Sequence, residues 1–109
     1  MAYAQGSVVL APATFKQGVR PYLIVSNRNR PFYGERYTVA VITSTEREQA
    51  IELTESSLTE GELKTYPSYM SPWSLHVFPA QEIHKRVAQV TPETVQTVAE
   101  TIYDQTRVL

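Results

Sequence analysis

The chain alternates short apolar runs with polar turns, a pattern that favours β-strands over most of its length. The predicted strands cover residues 6–11, 22–25, 35–44, 50–54, 74–78 and 83–90. The third strand is long enough to show two faces. One face carries Tyr37, Val39, Val41 and Thr43, and the other carries Thr38, Ala40, Ile42 and Ser44.

The last segment has the pattern of an amphipathic helix. Thr91 can cap its first turn, Pro92 suits the first helical position, and Glu93 lies near the positive end of the helix dipole. Its apolar stripe consists of Val95, Val98, Ala99, Ile102 and Tyr103. These elements predict a mainly β fold with α, in which five to six mostly antiparallel strands form a small barrel or strongly curved sheet with the C-terminal helix packed on it. We expect a single domain spanning residues 1–109.

Two segments between the predicted strands have a different composition. Residues 66–73 contain Pro67 and Pro72 among aromatic side chains, so we expect a packed edge or a ligand-binding wall there rather than a central strand. Residues 56–64 are polar and acidic, and we expect a connection with room for a helical turn.

Composition narrows the possible chemistry. The 109-residue chain has no cysteine, and the spacing of its two histidines, His76 and His84, fits no metal-ligand pattern, so we expect neither a metal nor another cofactor. It lacks a secretory signal and an apolar run long enough for a membrane helix, which favours a cytoplasmic protein that does not bind membranes.

The formal net charge is −1, but the charges are unevenly distributed. Residues 1–45 contain one acidic residue, Glu35, and five basic ones, which are Lys16, Arg20, Arg28, Arg30 and Arg36. Residues 46–63 contain six glutamates and one basic residue, Arg47. A basic first part is compatible with a polyanionic ligand, although a segregation of this size also arises by chance.

Arg20 precedes the second predicted strand within a rigid frame. Gly18 can adopt backbone angles that are closed to other residues, while Pro21 fixes its own φ and pushes Arg20 toward an extended conformation. The guanidinium therefore has a restricted direction, and its planar charged fork matches two oxygens of a phosphodiester. The alternative is an arginine that caps the strand end and lies over the sheet.

The predicted loop of residues 28–34 combines Arg28 and Arg30 with Phe32 and Tyr33. Cations beside aromatic rings can hold a phosphate and stack a base, as single-stranded nucleic acids require. The same rings can instead pin the loop to the sheet, and the sequence leaves both interpretations open.

The third predicted strand ends in three consecutive hydroxyls, Thr43, Ser44 and Thr45. Hydroxyls at such a position commonly satisfy backbone groups in a turn. Beside an arginine they can instead bind a phosphoryl oxygen.

Five segments in this order carry a family resemblance. They are residues 6–9 (Gly-Ser-Val-Val), 17–27 (Gln-Gly-Val-Arg-Pro-Tyr-Leu-Ile-Val-Ser-Asn), 39–44 (Val-Ala-Val-Ile-Thr-Ser), 85–87 (Lys-Arg-Val) and the helix start at 91–93 (Thr-Pro-Glu). Together they resemble the PemK/MazF toxins of type II toxin–antitoxin modules over nearly the whole chain. The resemblance implies an SH3-like barrel, a homodimer, sequence-specific cleavage of single-stranded mRNA without a metal ion, and an antitoxin whose disordered tail folds over the RNA groove.

By position, Arg20 matches the family's catalytic arginine and Thr43 the threonine paired with it. Ser44 follows Thr43, as in some members of the family. The remaining candidates for contacts with RNA are Lys16, Gln17, Ser44, Arg28 and Arg30, with Ser68 and Trp73 as further residues that line the groove.

The expected chemistry is attack of a 2′-hydroxyl on the adjacent phosphorus. Arg20 can stabilise the added negative charge, an effect worth about 3 to 4 kcal/mol per donor in comparable sites, and Thr43 can fix a non-bridging oxygen. Some members of the family supply a carboxylate where this chain has residues 68–70, which contain no acid. The general base therefore stays open between His76, Glu35 and the substrate's own surroundings, and His76 is also explained as a packed histidine.

Two other functions compete with a ribonuclease. One is a non-enzymatic, gyrase-binding toxin of the CcdB branch, although this chain lacks the tryptophan-glycine-isoleucine ending of that branch. The other is a catalytically silent module that binds RNA or protein.

Overall fold

A computed structural model describes residues 2–14 and 16–109. The strands are β1 (Ser7–Pro12), β2 (Val19–Ile24), β3 (Arg36–Thr43), β4 (Ile51–Leu53), β5 (Leu58–Gly61), β6 (Ser68–Pro79) and β7 (Lys85–Val90), and the helix is α1 (Pro92–Thr106). Short 3₁₀ turns cover Glu55–Ser57 and Ala80–Glu82. The strands form one curled sheet in the order β4-β6-β3-β2-β1-β7-β5, in which every pair is antiparallel. The predicted α+β class and curved sheet are confirmed.

The sheet has seven strands because β5 lies within residues 56–64, where we expected only a connection with a helical turn. The turn exists, at Glu55–Ser57, and β5 follows it directly. β5 pairs with β7 at the edge of the sheet, and its side chains are mostly exposed. An edge strand of this kind is held by backbone hydrogen bonds and needs no apolar alternation, so the sequence pattern does not reveal it.

The expectation that residues 66–73 do not form a central strand was wrong, because most of this segment belongs to the interior strand β6, which pairs with β3 and β4. Ser71 lies opposite Val41, but the next paired residues are Leu75 and Ala40, so residues 72–74 form a bulge. Pro72 lies in that bulge, where the ladder requires no N–H donor. The proline is therefore compatible with a strand in the middle of the sheet.

Both faces of the sheet contribute side chains to a buried core. One core contains Val8, Leu23, Ala40, Ile42, Leu53, Leu63, Met70, Ala88, Val90 and Val98. The other contains Val9, Ala11, Tyr22, Ile24, Tyr37, Val39 and Ile83. β3 contributes to both cores, so its position is fixed from two sides.

The helix α1 packs on the first of these cores. Thr91 caps it as predicted, since its Oγ1 accepts a hydrogen bond from the backbone N–H of Thr94 at 3.1 Å. Val98 is buried and Val95 and Ile102 pack against the core, but Ala99 and Tyr103 are exposed. The apolar stripe is therefore narrower than predicted, because the helix contacts the sheet along one row of side chains. No helix among the described residues has the length and apolar character needed to cross a membrane.

Candidate functional site

Arg20 and Thr43 lie where β2 and β3 separate. The ladder between these strands ends with Tyr22 opposite Val41, and two more residues in the same register would place Arg20 opposite Thr43. Side chains alternate along a strand, so Arg20 shares the face of Tyr22, and Thr43 shares the face of Val41. The two side chains therefore leave the same face of the sheet at the open end of neighbouring strands.

The Arg20 side chain is half-buried and incompletely paired. Its Nη2 donates a hydrogen bond to the carbonyl oxygen of Ile42 at 3.0 Å, and its Cζ lies 5.9 Å from the centroid of the Tyr22 ring. Its Nε is buried and has no hydrogen-bond partner among the described residues. A buried donor without a partner costs free energy, so this arginine is held in place at some cost to stability.

Two adjoining cavities meet at this point, and Lys16, Arg20 and Thr43 line both of them. The first cavity has a volume of about 750 Å³. Its other lining residues are Leu10, Val19, Pro21, Ile42, Ser44, Glu62, Leu63, Lys64, Thr65, Ser68, Lys85, Arg86 and Val87. The second cavity has a volume of about 410 Å³, and its other lining residues are Thr14, Val41, Arg47, Ser71, Trp73, Ser74 and His76.

Several predicted residues come together at these cavities. Ser44 and Ser68 line the first cavity, and Trp73 and His76 line the second. Ser68 is buried, and its hydroxyl donates to the carbonyl oxygen of Thr65 at 2.6 Å. Trp73 is 49% exposed, which leaves part of its ring accessible to a ligand.

His76 is half-buried on the face that carries Arg20 and Thr43, opposite Val39 in the ladder. Its ring packs edge-on against Tyr22, with centroids 6.1 Å apart, and stacks on Phe78 at 6.4 Å. These contacts hold the ring in place while it lines the second cavity.

The hydroxyl of Thr43 accepts a hydrogen bond from the backbone N–H of Thr45 at 3.2 Å. As an acceptor in that bond it keeps its own proton for donation to a ligand. Tyr69 lies opposite Thr43 in the ladder, and burial, with Glu46 and Glu52 nearby, raises its pKa. The Tyr69 hydroxyl is therefore neutral at physiological pH.

Gln17, Arg28, Arg30 and Glu35 line neither cavity. The loop with Arg28 and Arg30 follows the end of β2, whereas Arg20 lies near its start. Glu35 precedes β3, whereas Thr43 ends it, and eight residues of extended chain measure about 25 Å.

The loop after β2 is tied to the sheet by its own side chains. Arg30 donates through Nε to the Thr38 hydroxyl at 2.8 Å and through Nη1 to the Pro31 carbonyl at 2.7 Å. The Tyr33 ring packs edge-on against Tyr37, with centroids 6.3 Å apart. The contacts of Arg30 and Tyr33 thus fit the interpretation that the side chains of this loop hold it against the sheet.

Sequence reasoning missed most of the basic residues in the cavities. Lys64, Lys85 and Arg86 line the first cavity, and Arg47 lines the second. The adjacent pair Lys85 and Arg86 was visible in the sequence, but its distance from Arg20 depends on β1 lying between β2 and β7. Among the described residues, no group of three or more His, Asp or Glu side chains is placed to hold a metal ion.

Comparisons with solved structures show which proteins share this fold. An endoribonuclease in complex with its cognate antitoxin from a mycobacterial species is 18% identical, with a TM-score of 0.70 over 95% of this chain and 91% of that one. A second mycobacterial endoribonuclease is 19% identical, with a TM-score of 0.67 over 95% of this chain and 90% of that one. The Mycobacterium tuberculosis toxin MazF-mt6 is 22% identical, with a TM-score of 0.70 over 90% of this chain and 93% of that one. The curled sheet with its C-terminal helix is thus a fold that these three proteins share.

The sequence itself identifies the family. The model for the PemK-like, MazF-like toxins of type II toxin–antitoxin systems matches residues 4–105, so the chain belongs to this family. No curated protein sequence gives a significant match. The resemblance inferred from the sequence segments is confirmed.

The incomplete pairing of Arg20 leads to a prediction about stability. Replacing Arg20 with Met removes one hydrogen bond but also a buried unpaired donor, so we expect the free energy of unfolding to change by less than about 0.5 kcal/mol or to rise. Arg30→Met is the matched control, and the loss of its two hydrogen bonds should cost about 1 kcal/mol. Urea denaturation of both variants measures the difference. If Arg20→Met is the more destabilised variant, Arg20 has a structural role.

Proposed function

We propose that this protein is the toxin of a type II toxin–antitoxin system and that it acts in the cytoplasm as a metal-independent endoribonuclease on single-stranded RNA. The observation that carries the proposal is the position of Arg20 and Thr43 on one face at the open end of β2 and β3, between two cavities. Membership of the toxin family supports the same activity.

In the proposed reaction, the 2′-hydroxyl attacks the neighbouring phosphorus and the bond to the 5′-oxygen breaks. The products are a 2′,3′-cyclic phosphate and a 5′-hydroxyl. The Arg20 guanidinium stabilises the negative charge that develops on the phosphorus oxygens, and the Thr43 hydroxyl donates to a non-bridging oxygen. Because Pro21 and the Ile42 carbonyl already restrain Arg20, little reorganisation is needed when the charge develops.

Two protons must also move, one from the 2′-hydroxyl and one to the leaving 5′-oxygen. We assign one of these transfers to His76, which lines the second cavity together with Arg20 and Thr43. Glu35 lies at the opposite end of β3 and has no such position. Imidazole is suited to the role because one ring nitrogen can accept a proton while the other donates one.

We also propose two protein partners. One is a cognate antitoxin, whose disordered tail would fold over the two cavities and exclude RNA. Competition between the antitoxin and an uncleavable RNA for the purified toxin tests this placement, which simultaneous binding would contradict.

The second partner is another copy of the chain in a homodimer. β6 carries an exposed apolar pair that supports it, Leu75 at 39% and Val77 at 52% exposure.

Cleavage of a long single-stranded RNA in EDTA tests the proposed activity. The wild-type protein should give fragments with a 5′-hydroxyl and a cyclic phosphate. Removal of one stabilising donor typically costs 10²- to 10³-fold in rate, so we expect losses of about that size in Arg20→Ala and Thr43→Ala. Arg28→Ala, which removes an exposed cation outside both cavities, should keep full activity. RNA binding without fragments would point to a silent binding module, and gyrase binding without RNA binding would point to a CcdB-like toxin.

The assignment of a proton transfer to His76 makes a separate prediction. His76→Gln preserves polarity but cannot transfer a proton, so it should lower kcat by about 10²-fold or more. Glu35→Gln is the control and should leave kcat unchanged. Single-turnover cleavage of a fluorescent RNA measures both variants. Full activity in His76→Gln would remove this residue from the mechanism.

Analytical ultracentrifugation at micromolar concentration tests the homodimer. The wild-type chain should sediment as a dimer, and Val77→Arg should shift it to a monomer because a charge on the apolar face opposes burial. Phe32→Arg is the control, since Phe32 is exposed in the loop after β2. A monomeric wild-type protein would contradict the proposal.

A further inference from the structure

Tyr22 is a fully buried aromatic residue beside the candidate site. It shares the face of Arg20, which lies two residues earlier in β2, and it belongs to the core that also contains Tyr37 and Val39. Tyr22 lines neither cavity, so it does not reach a ligand that is bound there. Any effect of Tyr22 on a reaction at this site must therefore pass through its neighbours.

The Tyr22 ring contacts two of the three side chains to which the proposed reaction assigns chemistry. Cζ of Arg20 lies over the ring, 5.9 Å from its centroid. The His76 ring meets it at an angle of 73°, with centroids 6.1 Å apart. Phe78, which stacks on His76, also meets the Tyr22 ring edge-on, with centroids 5.0 Å apart. One aromatic ring thus contacts both the guanidinium and the imidazole.

The Tyr22 ring is itself fixed at both ends. Its hydroxyl donates a hydrogen bond to the carbonyl oxygen of Pro12, the last residue of β1, at 2.8 Å. Its backbone lies in the sheet between Val9 and Val41, which are its partners on the two sides. Side chains that rest on a packed and hydrogen-bonded residue are restricted in their own orientations. Tyr22 can therefore restrain whatever lies against its ring.

Arg20 needs such a restraint because its own hydrogen bonds are few. Nη2 donates to the Ile42 carbonyl, whereas the buried Nε has no partner among the described residues. The negative face of an aromatic ring attracts a cation, and the attraction is stronger away from water. The Tyr22 ring thus offers the guanidinium an interaction that partly offsets its missing acceptor.

We propose that Tyr22 is a positioning residue, whose ring holds Arg20 and His76 in the geometry that RNA cleavage requires. This inference rests on the proposed function, because it takes Arg20 and His76 as groups that act on the RNA. A displacement of about 1 Å in a catalytic site can cost about 10²-fold in rate. An aliphatic side chain at this position would leave both groups freer to move, so the ring matters for the rate without contacting the substrate.

Single-turnover cleavage of a fluorescent RNA tests this role in Tyr22→Leu, with Tyr37→Leu as the matched control. Tyr37 is also fully buried, its hydroxyl accepts a hydrogen bond from the Tyr3 backbone N–H at 2.9 Å, and it lines neither cavity. Tyr22→Leu should lower the maximal rate constant by about 10- to 10²-fold. The RNA concentration that gives half the maximal rate should change little, because the cations of the cavities are kept. Tyr37→Leu should keep the wild-type rate, and Tyr22→Phe, which keeps the ring, should keep most of it.

Side-chain NMR relaxation tests the restraint without a substitution in the core. The Nε–H group of Arg20 in the wild-type protein should have an order parameter of about 0.85, as in rigid backbone, whereas that of the exposed Arg28 should fall below about 0.6. Tyr22→Phe should leave the value for Arg20 unchanged, and Tyr22→Leu should lower it. A mobile Arg20 side chain in the wild-type protein would overturn the inference even if the leucine variants fail to fold in urea-denaturation controls.

The outcomes separate this inference from the proposed activity. If Tyr22→Leu cleaves at the wild-type rate, or if Tyr37→Leu loses as much, the positioning role is refuted and the ribonuclease proposal stands. If Tyr22→Leu weakens RNA binding but keeps the maximal rate constant, Tyr22 supports binding and the inference is overturned. If Tyr22→Leu frees Arg20 but the wild-type protein never cleaves RNA, the restraint of Arg20 by Tyr22 is upheld and the activity fails.

Discussion

The early end of the ladder between β2 and β3 is the constraint on which the candidate site depends. Beyond Tyr22 and Val41 the two backbones no longer pair, and the Ile42 carbonyl receives a hydrogen bond from the Arg20 side chain. A guanidinium thus occupies the place that a backbone donor would take in a continuous ladder. Arg20 and Thr43 both line the two cavities at the end of this ladder, and the hydrogen bond to Ile42 limits the movement of the arginine.

The two cores explain how such a gap is tolerated. β3 is buried on both faces, and β2 and β6 flank it, so the positions of Arg20, Thr43 and His76 are set by strands that cannot shift without disturbing a core. Sites built on packed strands hold their side chains more precisely than sites on loops. The cationic residues of β7 belong to the same sheet, so they share this rigid frame.

We named Arg20 and Thr43 from their positions at strand ends and from the family resemblance, and the register puts both side chains on one face of the sheet. Local pattern could not place Lys85 and Arg86 at the same cavity as Arg20, because their position results from a strand order that brings β7 next to β1. The predicted fold class, most strands and the helix followed from periodicity. The edge strand β5 did not follow from periodicity, because its pairing with β7 relies on backbone groups. The central position of β6 was not predicted, because its proline, Pro72, lies in a bulge that the sequence does not reveal. Arg28 and Arg30 were chosen by composition, which does not tell at which end of a strand a loop lies.

The bulge in β6 also decides which side chains of that strand face the reaction centre. Residues 72–74 have no partners in β3, and this odd number of extra residues reverses the alternation along the strand. Tyr69 and Ser71 therefore share a face with His76 and Phe78, although in an uninterrupted strand odd-numbered and even-numbered residues would point to opposite sides. Loss of one residue from this kink would rotate His76 away from Arg20 while leaving Ser71 in place. The direction of the His76 side chain therefore depends on this bulge. The number of residues between Ser71 and Leu75 matters as much for the site as the identity of those residues.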